Sequence, residues 1–177
     1  MKDVELGLIA ELMKNSRRSD RELAKAIGVS QPTVSRMIKR LEKEGVIKEY
    51  TMIPDFTKIG YHLLAITFVK LRNMLDPEEV EKAREITKQR IKESRFGIIM
   101  LERGLGLGYD GAIVTFYESF TDYLEHKDAL RQYPFLELFK IETFLISLDD
   151  RVRYCTLTLS HLASLLRPKE KKTKSSE

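Results

Sequence analysis

The sequence has little cysteine and histidine, and this scarcity excludes several kinds of metal and redox protein. Its 177 residues include one cysteine, Cys155, so no internal disulfide can form. The three histidines, at positions 62, 126 and 161, lie far apart and lack the spacing of a helical zinc motif. We therefore expect no metal site, no cofactor and no enzymatic chemistry that depends on either.

Long apolar runs are also missing. No stretch approaches the roughly 18–20 apolar residues that a membrane helix needs. The N-terminus, residues 1–5, has no apolar segment of the kind found in a secretion signal. The sequence therefore predicts a cytoplasmic protein without a membrane partner. Its net charge of +4, from 31 basic and 27 acidic residues, is a mild excess that does not by itself indicate nucleic-acid binding.

The first 30 residues contain the signals of two short helices. Residues 3–14 carry Val4, Leu8, Ile9 and Leu12 at helical spacing, which predicts an amphipathic helix. The run from Ser19 to Glu22 has the pattern of a capping box, in which each side chain bonds the other residue's amide. A second helix follows, and Gly28 is placed to end it in the left-handed conformation.

A third helix begins close behind the second, and the spacing is that of a helix-turn-helix. Ser30 is the predicted N-cap, Pro32 is tolerated in the first turn, and Gly45 follows a helix that runs to about Glu44. The motif needs a small residue in the turn and apolar residues that hold the two helices together. We assign that packing to residues 23, 24, 27, 29, 34, 38 and 41. Residues 45–53 are expected to form the wing or its first strand.

The outward face of the third helix is rich in cations and small hydroxyls. At about 100° per residue, Val34, Met37, Ile38 and Leu41 point inward, and the basic residues lie opposite or beside them. Any helix could carry such a face simply for solvation, but one that follows a helix-turn-helix is expected to contact double-stranded DNA. We predict base contacts from Gln31, Thr33, Ser35 and Arg36, and phosphate contacts from Lys39, Arg40 and Lys43.

The second half alternates strands and helices in the order β-α-β-β-α-β. The predicted strands cover 63–71, 96–101, 112–117 and 138–148, and the predicted helices cover 77–94 and 119–131. This order is typical of a ferredoxin-like sandwich. The predicted fold class is therefore α+β, with an N-terminal winged helix-turn-helix and a C-terminal ferredoxin-like domain.

These patterns divide the chain into four parts. Residues 1–54 are predicted to bind DNA, residues 55–62 to form a linker, and residues 63–148 to form the second domain. Residues 149–177 are an extension with a short helix predicted at 157–166. Its last eleven residues carry five basic and two acidic side chains and no core formers, so we expect them to be disordered.

A glycine-rich run at residues 104–108 permits more than one interpretation. A phosphate-binding loop should lead into a helix, but this run leads into the predicted strand that starts at Ala112, and no Gly-Lys-Ser/Thr follows. We therefore set the nucleotide-binding enzyme aside. A turn that lines a ligand pocket and a bare hairpin turn both remain open.

Two features resemble the Lrp/AsnC (feast/famine) family of regulators, and its archaeal branch in particular. They are the run RELAKAIGVSQPTVSRMIKRLEKEGVIKEYTMIPDF, residues 21–56, and the β-α-β-β-α-β half behind it. The resemblance implies a C-terminal effector and oligomerisation domain of the RAM type. It also implies a homodimer that assembles further, a small effector that is often an amino acid, and paired recognition helices that read a two-fold symmetric site.

The sequence departs from the family at the effector loop. Members carry a glycine three residues before an aspartate, whereas here Leu107 stands three residues before Asp110. Either the pocket is reshaped or the effector differs. The effector-site residues implied by the resemblance are Gly106, Gly108, Tyr109 and Asp110. The alternative to an effector-controlled regulator is an architectural, chromatin-like DNA-binding protein without an effector.

Overall fold

The structure, a computed structural model, describes residues 1–72 and 75–166. The tail at 167–177, which the sequence predicts to be disordered, lies outside these residues. The described chain forms two compact units, one built from residues 1–53 with the segment from Tyr154 onward, the other from residues 54–153. Among the described helices, none is both long and apolar enough to cross a bilayer.

The first unit is a small helical bundle around one apolar cluster. Leu8, Leu23, Val34 and Leu41 are almost completely buried and pack together, with Met37, Ile38 and other residues half-buried around them. The inward positions predicted for the second and third helices are therefore confirmed. The helices of this unit are α1 (Asp3–Lys14), α2 (Asp20–Ile27), α3 (Gln31–Lys43) and, near the C-terminus, α6 (Ser160–Leu165).

The buried face of α1 differs from the predicted one. Val4, expected to face the core, is 40% exposed, whereas the charged residue Glu5 is 7% exposed. Glu5 can be buried because both of its carboxylate oxygens have partners, the Lys2 amide at 2.9 Å and the Arg40 guanidinium. Charge pairing thus outweighs the apolar periodicity at this position.

The prediction that residues 45–53 contain the first strand of the wing is wrong, because no strand forms between Gly45 and Ile53. A strand needs a hydrogen-bonding neighbour, and the first strand after this segment, at Leu63, belongs to the second unit. The segment is held instead by Tyr50, whose hydroxyl donates to Glu42 at 2.9 Å. The Ser16 hydroxyl also donates to the Thr51 carbonyl, at 3.3 Å.

The C-terminal extension returns to the first unit. Its helix α6 is shorter than the predicted 157–166, and it packs against α1 with Ala163 fully buried. The small side chain at 163 allows the helix to approach α1 closely. Residues 154–166 are thus part of the helical bundle rather than an appendage behind the second domain.

The second unit has the predicted β-α-β-β-α-β order, which confirms the α+β fold class. Its four strands form one antiparallel sheet in the order β2-β3-β1-β4. Phe56, from the predicted linker, stacks on Phe116 with ring centroids 4.0 Å apart. The elements are β1 (Leu63–Leu71), α4 (Pro77–Glu93), β2 (Gly97–Gly106), β3 (Tyr109–Tyr117), α5 (Phe120–Arg131) and β4 (Leu136–Ser147).

The two faces of the sheet differ in what covers them. Residues of α4 and α5 border the same cavity above the sheet, so both helices lie on one face. The other face carries an apolar row that crosses all four strands in register, formed by Met100, Val114, Ile66 and Phe144. Phe144 remains 64% exposed there. The row is called the apolar row below.

Candidate nucleic-acid interface and effector loop

Two capping signals fix the geometry of the helix-turn-helix. The Ser19 hydroxyl accepts from the Glu22 amide at 3.3 Å, and the Glu22 carboxylate accepts from the Ser19 amide at 2.8 Å. The hydrogen bond from the Ser19 side chain, more than any other contact, holds the pKa of Glu22 below its usual range. Gly28 ends α2 with φ of 71°, in the left-handed region, so the predicted capping box and glycine stop are both confirmed.

The start of α3 is left open toward solvent. Ser30 occupies the N-cap position, as predicted, but its hydroxyl bonds the Thr33 hydroxyl at 2.8 Å and caps no backbone amide. The first turn of α3 contains no acidic residue, unlike the first turns of α2 and α4. The positive end of the helix dipole is therefore not neutralised by its own side chains, which suits an approaching phosphate.

Most of the predicted DNA-contacting residues are accessible on α3. Gln31, Arg36, Lys39 and Lys43 are exposed, and Thr33 and Ser35 are half-buried beside them. The Arg36 Nε donates a hydrogen bond to the Pro32 carbonyl at 3.3 Å. This local contact leaves the other guanidinium donors of Arg36 available to solvent. Three cations and several small polar groups thus share a face opposite Val34 and Leu41, which are buried.

Arg40 differs from the other cations of α3. Its guanidinium bonds the buried Glu5 carboxylate, and its Nε lies 3.7 Å from a carboxylate oxygen of Glu44. The Lys2 amide hydrogen bond is the largest cause that lowers the pKa of Glu5, and the hydrogen bond and charge of Arg40 add to it. Arg40 therefore ties α3 to α1, a contact that sequence reasoning missed because the two residues lie 35 positions apart.

Sequence reasoning also gave no role to Arg17 and Lys25. Both are exposed on the first unit, and neither forms an ion pair with another described residue. The charge of these two residues was visible in the sequence, but nothing local showed that their side chains would stay unpaired while the neighbouring Arg18 bonds Glu11.

The effector-loop residues lie at the hairpin that joins β2 and β3. Gly106 pairs with Tyr109, and the two residues between them, Leu107 and Gly108, form the turn with φ of 52° and 80°. The strand predicted to end at Leu101 therefore continues to Gly106, and the turn expected at residues 104–108 is confined to Leu107 and Gly108. Glycines in the run leave the backbone free to complete the ladder, and a positive φ at Leu107 costs about 1–2 kcal/mol.

Asp110 is bonded within the fold at the start of β3. One carboxylate oxygen accepts from the Leu71 amide at 2.9 Å, and the other lies 3.1 Å from the Lys70 ammonium. The Leu71 amide is the largest cause that holds the pKa of Asp110 below its usual range, and Lys70 adds to it. Its neighbour Tyr109 packs against Phe68, and burial raises the pKa of the Tyr109 hydroxyl. Within the described ranges no group of three metal-binding side chains occurs.

Comparison with known proteins agrees with this architecture. Residues 1–48 match the family of winged helix-turn-helix DNA-binding domains. An HTH-type transcriptional regulator of Pyrococcus abyssi is 42% identical over 78 residues, 44% of this chain and 50% of the relative. The regulator LrpC of Bacillus subtilis is 39% identical over 70 residues, 40% of this chain and 49% of LrpC. The chain thus matches about half the length of these curated relatives.

Solved structures extend the likeness to both units. The crystal structure of PH0061, from Pyrococcus horikoshii, superposes with a TM-score of 0.69 at 26% identity and covers 89% of this chain and 97% of that one. LrpC of Bacillus subtilis gives 0.66 at 25% identity, over 86% of this chain and 97% of that one. A Neisseria meningitidis regulator solved as a complex with L-Met has the same fold at 18% identity, with a TM-score of 0.69 and coverage of 92% and 99%.

The fold and the face of α3 define a class: a winged helix-turn-helix protein with a ferredoxin-like second domain. Within that class, the chain is similar over both units to regulators of the Lrp/AsnC kind, such as LrpC of Bacillus subtilis.

Proposed function

We propose that the chain is a transcriptional regulator that binds double-stranded DNA sequence-specifically as a homodimer and acts as no enzyme. The observation that carries this proposal is the face of α3, where exposed cations and an uncapped helix start lie together on a rigid helix. Residues 1–54, with the segment that packs on α1, are the DNA-binding part. Residues 63–148 are the part that pairs subunits and senses an effector.

The predicted DNA-contacting residues of α3 divide into two groups by their position along the helix axis. Gln31, Thr33, Ser35 and Arg36 lie in the first turns, which enter the major groove in helix-turn-helix complexes, and we propose that they read base edges. Lys39 and Lys43 lie further along and contact phosphates. Arg40 keeps its bond to Glu5, so its charge is already paired and we expect little contribution from it to phosphate binding.

Replacing Arg36 and Lys39 together by alanine tests this proposal. Loss of one base contact and one phosphate contact in each protomer is expected to weaken binding to a selected duplex by at least tenfold, as each good base contact is worth about 1–3 kcal/mol. The matched control is the double variant Lys82→Ala and Lys92→Ala on α4, which removes the same charge from exposed positions of the second unit. Binding equal to that of the unaltered protein in an anisotropy titration would exclude α3 as the reading element.

The apolar row supports pairing of subunits through the sheet. Met100, Val114, Ile66 and Phe144 form a continuous strip that no described element of the second unit covers. Exposed apolar strips of this kind mark interaction surfaces. A dimer also places two recognition helices about one DNA turn apart, roughly 34 Å, and so permits a two-fold symmetric site. Assembly beyond the dimer follows from the family resemblance.

For the effector, we propose a small molecule, an amino acid or a related metabolite, at the hairpin of Gly106, Gly108, Tyr109 and Asp110. Positive φ angles at the hairpin expose backbone groups there, and a carboxylate lies beside them. The complex of the Neisseria meningitidis protein with L-Met is consistent with an effector in this fold. Asp110→Ala is expected to change the response to an effector in calorimetry while DNA affinity without effector stays the same.

A second candidate is an architectural DNA-binding protein without an effector. It is favoured by the bonds of Asp110, whose carboxylate is already engaged by Leu71 and Lys70. The two candidates differ in sequence preference, because a regulator prefers its site over bulk DNA by about a thousandfold or more. Binding-site selection from random duplexes, repeated with a panel of metabolites, separates them: an enriched symmetric sequence supports the regulator, and none supports the architectural protein.

A further inference from the structure

A cavity of about 730 Å³ lies between α4 and the helix-covered face of the sheet. Its volume falls within the roughly 300–1,000 Å³ of small-molecule sites. Helix α4 has an apolar side that borders this cavity through Val80, Ala83 and Ile91, yet no described residue of α4 is buried. The helix therefore leaves a space above the sheet that its own side chains do not fill.

The floor of the cavity is apolar. Val69, Ile98 and Ile113 line it from three adjacent strands. A polar side chain beside this floor is that of His126 on α5, which is 6% exposed and whose Nδ1 shares one hydrogen bond with the Tyr117 hydroxyl, at 2.6 Å. Among the described residues its other ring nitrogen, Nε2, has no hydrogen-bond partner. The cavity thus offers a large apolar surface with the His126 ring at its border.

Positive charge dominates the border of the cavity. Lys88, Arg90 and Arg103 line it, and none of the three forms an ion pair with a described residue. The Arg90 guanidinium is held over the Tyr133 ring, 5.2 Å from its centroid, which fixes its position at the border.

Three acidic residues also border the cavity, and two of them have side chains on the other face of the sheet. Glu93 accepts a hydrogen bond from Gln89 at 3.0 Å. Glu102 and Asp110 also border the cavity, but strand alternation places their side chains on the opposite face from Ile113. The charge left over at the cavity is therefore positive.

We infer that this cavity is a binding site for a small molecule with an apolar body and a carboxylate head. The body lies against Val69, Ile98 and Ile113, and the carboxylate meets Lys88 and Arg90 on α4. This site is formed within one protomer, on the face of the sheet opposite the side chain of Asp110, and is distinct from the proposed effector hairpin. The site is formed without DNA, and of the proposed effector-site residues only Asp110 borders it, with its side chain on the opposite face. Binding at this site can therefore be tested independently of the proposed function.

Calorimetric titration of the full-length protein with hexanoate, octanoate, decanoate and 1-octanol tests the inference. We expect saturable binding of one carboxylate per protomer, with affinity rising about 15-fold for each two methylene groups until the cavity is filled. Octanoate should bind at least tenfold more tightly than 1-octanol. Equal binding of octanoate and 1-octanol would refute the carboxylate assignment. If neither bound saturably, the site itself would be refuted, and we would conclude that α4 packs directly against the sheet in solution.

Two pairs of variants locate the binding. Ala83→Phe fills the cavity and is expected to abolish octanoate binding, whereas Lys82→Phe puts the same side chain on α4 outside the cavity lining and should leave it unchanged. The double variant Lys88→Gln and Arg90→Gln should remove the preference for octanoate over 1-octanol, and Lys92→Gln should retain it. Unchanged selectivity in the double variant would overturn the proposed role of these cations, even if Ala83→Phe were to unfold the domain.

Discussion

Arg40 and Lys39 are neighbours on α3, yet their replacement by alanine should have different consequences. Lys39 is exposed and makes no ion pair with a described residue, so its charge is available to a phosphate. Arg40 is bonded to Glu5, which is nearly buried and whose other oxygen accepts from the Lys2 amide. We expect Lys39→Ala to change DNA binding and its salt dependence, and Arg40→Ala mainly to lower the melting temperature of the first unit.

Counterion release gives the size of the difference. Each phosphate that a protein neutralises adds about 0.9 to the slope of log affinity against log salt concentration. Loss of one contact per protomer in a dimer therefore reduces the slope by about 1.8, which amounts to roughly 12-fold in affinity between 50 and 200 mM salt. Lys39→Ala should show this reduction, and Arg40→Ala should keep a slope close to that of the unaltered protein.

The assay is an anisotropy titration of one labelled duplex at several salt concentrations, combined with a thermal melt of each variant without DNA. Glu5→Gln is the companion variant: it removes the partner of Arg40 without touching α3, and it should lower the melting temperature while the slope stays unchanged. If Arg40→Ala reduces the slope as much as Lys39→Ala does, Arg40 leaves Glu5 to bind phosphate, and its structural assignment is wrong.

Three further predictions concern folding and assembly. Gly28→Ala should lower the unfolding free energy by about 1–2 kcal/mol in denaturant titration, since only the left-handed φ of 71° opposes a side chain there; an unchanged midpoint would contradict this. Burial lowers the pKa of His126 to about 4, so the unfolded state binds a proton below pH 6.5 that the folded state does not. Stability should therefore fall from pH 6.5 toward pH 4, by up to about 3 kcal/mol, and a flat profile would refute the neutral, buried histidine. Phe144→Glu should shift the protein from dimer toward monomer in sedimentation, whereas Lys92→Glu should not; an intact Phe144→Glu dimer would remove the apolar row as the interface.

Local signals account for most of what could be predicted from the sequence. The Ser19 capping box and the Gly28 stop depend on residues three or four positions apart, so the helix-turn-helix could be located closely. Strand β1 was predicted with its observed ends because its apolar run is bounded by polar residues on both sides. The order of strands and helices then defined the second domain.

Contacts between residues that lie far apart in the sequence could not be predicted from local patterns. Burial of Glu5 depends on Arg40, and the position of α6 depends on a fit between Ala163 and α1 that no periodicity encodes. The extent of β2 was also underestimated, because glycine in a sequence favours a turn while its backbone can still pair in a ladder. No pattern in the sequence indicated the cavity beside α4. The helical spacing of apolar residues in α4 is the same whether the helix packs tightly on the sheet or leaves a cavity beneath it.

The return of residues 154–166 to α1 makes the first unit discontinuous in sequence. The chain leaves the first unit after Ile53, forms the whole ferredoxin-like unit, and returns to the first unit at Tyr154. A fragment that stops at residue 148 would therefore lack part of the bundle around α1, and residues 1–54 alone are an incomplete module. The second unit is therefore inserted into the first, and two chain connections join the units, one after Ile53 and one before Tyr154.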